Sequence, residues 1–360
     1  MKVTSKIKIA IFLAVVLWLS LSGCSKVIDS ISGHLASDTK AETTVTPDEA
    51  EPEAAIPRYS VVFDADETFP DEASRLASER IDPVIRQAVD ILCTIPAKDI
   101  VVFDCDYSQR PTEKDGLTGN EEALAWYDFI YEKMSSLESF RLDPADYGGE
   151  EELYFPFYTA EVALYVDHRE IFMCGTTWAG DDGVIYPIYF MPGEWVDNAC
   201  DDMEAIRNAA AVYYRVVDRI FEKMPQNLSN YEKVWYFVLV ISVATDYQAN
   251  RCDTVFSPYD TLVTGHTVCN GYARTFLELC KKAGISAWYL TGMAPGGGYH
   301  GWNRIDTADG PLYIDLTWYD SNDIADQYWQ GDEEYLFMTQ EDFDAFGYVE
   351  GASPEEAEPF

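Results

Sequence analysis

Three residues of this 360-residue chain pair reactive side chains with spacings that let one act on the next: Cys269, His300 and Asp315. Between Asn270 and Ala283, the residues Ala273, Phe276, Leu277 and Cys280 fall at i, i+3, i+4 and i+7. Lys281 and Lys282 occupy the last turn and Gly284 follows, so a helix is predicted with Cys269 at its N-terminus. A thiol there meets unsatisfied N–H groups and the positive end of the helix dipole, and both favour a thiolate below the usual pKa of ~8.5. A thiolate nucleophile still needs an acid/base partner to protonate the leaving group. The chain has only four histidines, His34, His168, His266 and His300. His300 opens a predicted strand, His300 to Ile305, and Asp315 lies in the next one, Leu312 to Trp318. The turn-rich link Asp306 to Gly310 joins them as a hairpin. A two-residue turn at Thr307-Ala308 opposes His300 directly to Asp315, and a four-residue loop leaves them one diagonal step apart. An odd loop sends them to opposite faces. With an even loop the three residues meet the nucleophile–base–orienter logic of covalent acyl transfer.

Other candidates are weaker. His266 stands three residues before Cys269, where reach to the reacting atom is poor, and reads as a polar loop residue. His168, in Asp167-His168-Arg169, reads as a surface position on a helix. Trp302 and Trp318 are candidate substrate contacts lining a cleft, with sheet packing as the alternative. Gly296-Gly297-Gly298 is either a mobile rim beside His300 or a hairpin tip. Asp64-x-Asp66 begins like a calcium loop but lacks the following Asp/Asn and Gly, so it is discounted.

The elements that must hold these residues are legible in part. Ser229-x-x-Glu232 is a capping-box pattern opening a helix apolar on nearly every face (Val234, Trp235, Phe237, Val238, Val240, Ile241), which marks the buried helix of a domain. Ahead of it, Val61–Phe63 and Ile100–Phe103 are predicted short strands, Glu121–Leu137 a helix capped by Asn120, Val184–Phe190 an edge strand interrupted by Pro187, and Asp202–Met224 a long helix closed by Pro225. This first half carries no chemical constellation of its own.

Three linked blocks, Cys269-Asn270-Gly271-Tyr272-Ala273, His300-Gly301-Trp302-Asn303 and Tyr313-Ile314-Asp315-Leu316-Thr317-Trp318, resemble the signature blocks of the transglutaminase-like superfamily over roughly residues 226 to 345. The resemblance implies that Cys269, His300 and Asp315 are the catalytic Cys, His and Asp. It also implies an α+β, papain-like core of helices packed on an antiparallel sheet, here preceded by a smaller mixed α/β domain. Gly301 stands where the family often has Ala, and Tyr319 separates Trp318 from Asp320. Tyr247 and Tyr259 are candidates for oxyanion stabilisation beside the Cys269 backbone N–H. No metal or organic cofactor is implied, although animal members of the superfamily depend on calcium.

The N-terminus addresses location. Lys2, Lys6 and Lys8 precede an 11-residue apolar run, Ile9 to Leu19, which is shorter than the ~20 residues of a membrane span and reads as a secretory signal. Leu21-Ser22-Gly23-Cys24 resembles a bacterial lipobox, which implies cleavage before Cys24, lipid attachment to its sulfur and an extracytoplasmic, membrane-anchored protein. The expected organisation is a signal peptide (1–23), an acidic linker (24–57), an N-terminal domain of unassigned role (58–224), the transglutaminase-like domain (225–348) and an acidic tail (349–360). Of eight cysteines, six remain beside Cys24 and Cys269. Cys280 reads as a buried thiol, and no bridge is assigned. A net charge of −38 argues against nucleic acid as partner, while 48% hydrophobic residues exclude a disordered polyanion. The expected activity is acyl transfer on peptide or protein amides, cell-wall peptide among them, with release to water or to an amine. The alternative is a surface binding or scaffolding lipoprotein that keeps the fold without turnover.

Overall fold

A computed structural model describes residues 58–64, 67–168, 174–179, 183–189, 202–248, 257–295, 298–320 and 333–351. The expected signal peptide, the Cys24 anchor and the linker to residue 57 lie outside the described residues, as do Gly296, Gly297 and the tail from residue 352. Among the described residues no helix is long and apolar enough to cross a membrane.

The first half is mostly helical: α1 (Glu72–Leu92), the short α2 (Glu113–Gly116), α3 (Glu121–Ser135), α4 (Glu150–Asp167) and α5 (Met203–Glu222). Asn120 caps α3, its side chain accepting from Ala123 N, and Asp202 caps α5 through Glu204 N and Ala205 N. Between α4 and α5, β1 (Cys174–Ala179) and β2 (Ile185–Tyr189) form an antiparallel pair. Pro187 is tolerated in β2 because a two-stranded sheet leaves one side of every strand without a ladder. Two expected strands are absent. Residues 61–63 run without strand pairing, and 100–103 contributes only a bridge from Val102 to Thr307, because neither segment has a continuous partner edge.

The second half is built around α6 (Asn230–Ala244), whose capping box forms as the pattern predicts: Ser229 Oγ accepts from Glu232 N, and Glu232 Oε2 accepts from Ser229 N at 2.8 Å. The helix is buried on nearly all faces, from Tyr231 through Ala244. The pairs β3 (Asp246–Tyr247) and β4 (His266–Thr267) lead into α7 (Cys269–Ala283), which ends at Gly284 in the left-handed region, φ 68°. Then come β5 (Ala287–Met293), β6 (Tyr299–Thr307), β7 (Gly310–Ile314), α8 (Leu316–Tyr319), β8 (Leu336–Met338), α9 (Gln340–Phe346) and β9 (Val349–Glu350). They form one antiparallel sheet in the order β8-β7-β6-β5-β9. Val349 and Glu350, expected at the start of a tail, are therefore part of the sheet.

The two halves share a core. One cluster of buried apolar residues runs from Ala77 on α1 through α5, α6 and α7 to Leu336 on β8, across the expected boundary at 224/225. Polar pins reinforce it. Arg219 on α5 donates to Asp82 on α1 at 2.8 Å and to Glu67 at 2.5 Å. Arg80 on α1 donates to Leu262 O at 3.1 Å and to Ala244 O, gripping the segment that leads to Cys269. A smaller aromatic cluster, including Trp302, Tyr313, Phe343 and Tyr348, covers the other face of the sheet.

Because α6 anchors this shared core, removing its cap should be felt globally. Ser229→Ala is expected to lower unfolding stability by about 1 kcal/mol, read as a reduced urea midpoint with an unchanged slope.

Candidate active site

Cys269 occupies the first position of α7, and its own N–H and those behind it begin the helix. The approach to it is a wide helical turn, Asp260–Thr264, closed by Gly265 at φ 78°. Thr261 Oγ1 donates to Thr267 Oγ1 at 3.2 Å, and this buried polar floor lies against α7 at Gly271. A methyl group on Gly271 would fall 1.7 Å from Thr267 Oγ1, so only glycine lets the first turn of the helix sit this close to the floor. Cys269 is 7% exposed and is not in a disulfide.

His300 is on β6. Its Nε2 is 2.7 Å from Asp315 Oδ2, and both side chains are buried, at 2% and 0% exposure. The hairpin that joins them has Ala308 and Asp309 at its tip, with Thr307 opposite Gly310 and Asn303 opposite Ile314. This even connection meets the parity condition: continuing the register puts position 315 across from Trp302, one diagonal step from His300. Asp315 itself is not on the strand as expected. β7 stops at Ile314, and Asp315 caps α8, its Oδ1 accepting from Trp318 N at 3.2 Å. The chain turns there because an aspartate side chain can take an orphan N–H from the first turn of a helix, which a strand position would not use.

The helix and the His strand are sewn together beside these residues. Asn303 Nδ2 donates to Ala273 O on α7 at 3.0 Å and to Trp288 O on β5 at 3.1 Å. Tyr289 O–H donates to Asn270 Oδ1. A methyl on Gly301 would sit 3.3 Å from that Asn270 oxygen and 3.1 Å from the Tyr289 hydroxyl. Residues 270 and 301 thus abut, and Cys269 and His300 are their chain neighbours. The Tyr289–Asn270 pair fills the space into which an alanine at 301 would project.

Trp302 is corrected from a substrate contact to a core residue. It is 0% exposed, lies 6.1 Å from the His300 ring between centroids, and packs on Phe343 and Tyr348. It is buried because the aromatic cluster below β6 covers the face it shares with His300. Trp318 is half-buried, 6.3 Å from the His300 ring and edge-on to Tyr335 at 5.2 Å. Tyr247 pairs with Thr267 in the β3–β4 ladder, and Tyr259, at the head of the wide turn, has its hydroxyl pushed up to about 12 by burial. His266 lies in β4 opposite Asp246, and His168 ends α4, with its ring 4.2 Å from that of Tyr131. Cys280 is buried and its thiol is pushed well up by desolvation; neither it nor Cys93 or Cys105 is bridged. Cys200 and Cys252 lie outside the described residues. Among the described residues no group of three or more metal-ligating side chains converges.

Sequence reasoning missed two partners. Tyr272, three residues after Cys269, donates its hydroxyl to the buried Asp320. Burial, reinforced by the charge of Asp246, holds the Asp320 carboxyl well above the usual carboxylate range. Tyr348 donates to Asp315 Oδ2 at 2.6 Å from 33 residues away, and no local pattern announces it.

The sequence profile of the transglutaminase-like superfamily matches residues 205–320. This span is a transglutaminase-like domain. The matched span opens within α5 and includes Cys269, His300 and Asp315. The chain is 25% identical to human kyphoscoliosis peptidase over 117 residues and 24% identical to the mouse protein over 115 residues, each covering 29% of this chain. The chain spans 17% of the length of these curated relatives. A crystal structure of a TGase aligns with a TM-score of 0.28 at 16% identity, over 42% of this chain and 41% of that one.

Three substitutions test this arrangement. Gly271→Ala is expected to cost about 2–3 kcal/mol by overpacking, and Thr267→Ala in the same chain to recover part of that, both read by urea unfolding. Asp320→Asn keeps an acceptor for Tyr272 but removes the proton linkage. The folded state retains a proton that the unfolded chain releases above about pH 4, so wild-type stability declines as pH rises from there. The stability of Asp320→Asn relative to wild type should therefore increase as pH rises above about 4.

Proposed function

We propose that this protein is an extracytoplasmic, lipid-anchored cysteine acyl-transfer enzyme acting on peptide or protein amides through Cys269, His300 and Asp315. The observation that carries the reading is the buried His300–Asp315 hydrogen bond, beside a helix that starts at Cys269. Asp315 engages Nε2, which leaves the Nδ1 side of the imidazole for the thiol and the leaving group. The helix N-terminus favours the thiolate, and the carboxylate orients the imidazole through its hydrogen bond.

In the first half-reaction the Cys269 sulfur attacks the amide carbonyl carbon, and the oxyanion forms near the N–H groups that open α7. His300 gives its proton to the amine nitrogen as the C–N bond breaks, leaving a thioester on Cys269 and a neutral imidazole. In the second, imidazole takes a proton from water or from an amine as it attacks the thioester, and the sulfur leaves as thiolate. Hydrolysis is the preferred outcome, because water requires no second binding site. Trp318, half-buried beside His300, is the side chain proposed to border the substrate. The Leu21–Cys24 pattern supports attachment to the outer membrane leaflet, which makes peptides and cell-wall peptide the accessible substrates.

The test is incubation with a peptide library and a labelled primary amine. Cleavage, ammonia release or amine incorporation is expected from the wild type and absent in Cys269→Ala, with His300→Ala slower by about 100-fold or more. Products identical for wild type and Cys269→Ala would leave the binding lipoprotein as the reading.

A further inference from the structure

Asp315 poses a problem that its neighbours in sequence do not solve. It is 0% exposed, so no solvent shell compensates its charge, and its Oδ1 receives one N–H from Trp318 at 3.2 Å. Its Oδ2 carries the bond to His300 Nε2 at 2.7 Å, and the second donor on that oxygen is the Tyr348 hydroxyl at 2.6 Å. A buried carboxylate keeps its charge in proportion to the donors aimed at it. Tyr348 is suited to the task, because burial and the adjacent carboxylate push its own hydroxyl far up and keep the proton in place.

The segment that delivers Tyr348 is built for position. α9 ends at Gly347 with φ 89°, and the chain turns back so that Val349 and Glu350 pair with Met293 and Gly292 on β5. Gly292 is also the register partner of His300 on β6. A methyl at Gly292 would lie 2.1 Å from Val349 O, so this one glycine admits the backbone of β9 beside the His300 pair. The Tyr348 ring is stacked on Phe343 (4.7 Å, 12°) and set edge-on to Trp302 (5.2 Å, 63°), which in turn lies against His300. Both the ring and the backbone of this strap are fixed, and the hydroxyl has one place to point.

We propose that Tyr348 is a positioning residue for the His300–Asp315 pair, and that the strap 339–351 completes the active site from outside the span 205–320 that matches the superfamily. The inference rests on the catalytic reading of Cys269 and extends it. Tyr348 donates to Asp315 Oδ2, Asp315 holds the imidazole in place, and the imidazolium formed there supports the Cys269 thiolate. The effect on the thiol passes through two hydrogen-bonded groups, so it is largest where the thiolate depends on the imidazolium, below neutral pH.

Iodoacetamide alkylation of Cys269 in the full chain, followed by mass spectrometry from about pH 5 to about pH 10, reads this directly. Tyr348→Phe keeps the ring and its stacking. It is expected to slow alkylation about ten-fold near pH 6, the scale of a lost hydrogen bond to a charged group, and to leave the rate near pH 10 within about two-fold of wild type. Gly292→Ala keeps the hydroxyl but displaces the β9 backbone, and the same pH-selective loss is expected. A merely structural role for Tyr348 would instead alter labelling at every pH, and that result overturns the proposal. So does a Tyr348→Phe profile that superimposes on wild type while His300→Ala loses the low-pH labelling. If wild type and His300→Ala both label like an ordinary thiol, the catalytic reading fails first, and the proposal with it.

Discussion

A carboxylate sealed away from water governs the arrangement of this molecule. Asp315 is fully buried, and a charge in that position must be met by donors placed in advance, because the solvent that would otherwise reorganise around it is absent. Each donor comes from a different element: His300 from β6, the Trp318 N–H from the turn of α8, and the Tyr348 hydroxyl from the segment after α9. The end of β7 at Ile314 follows from the same requirement. Had the strand continued, Asp315 would have lost its local N–H donor, and its backbone would have been held in a ladder rather than at a helix cap.

The thiol side of the site depends on close packing. α7 carries Cys269 on its first turn, and that turn is placed by contact with the floor at Thr267, by Asn303 reaching from the His strand to Ala273 O, and by Tyr289 reaching to Asn270. Behind α7, the core continues through α6 and α5 to α1, where Arg80 grips the segment leading to Cys269 and Arg219 clamps α1 to α5. The helical N-terminal half thus acts on the site mechanically: it fixes where α7 begins. The match to the superfamily likewise includes most of α5.

Much of the site could be read from the chain. The α7 periodicity and its glycine stop, the capping box of α6 and the parity of the hairpin are local properties, each set within a dozen residues by side-chain period or by turn geometry. The errors are also physical. Residues 61–63 and 100–103 have β-prone composition, yet a strand exists only where a second edge accepts it. Trp302 was a reasonable cleft wall by type and position, but its exposure depends on what lies beneath β6, and there the cluster of Phe343 and Tyr348 closes over it.

The sequence by itself determined the reactive types, their order, the helix end that carries Cys269 and the face shared by His300 and the 315 position, because short-range backbone geometry dictates all of these. Tertiary structure alone decided which groups compensate Asp315, how near α7 comes to its floor at Gly271, and that a tyrosine 33 residues past Asp315 enters the site. Those are contacts between segments distant along the chain. They exist only once the sheet has closed, and no spacing within a single element encodes them.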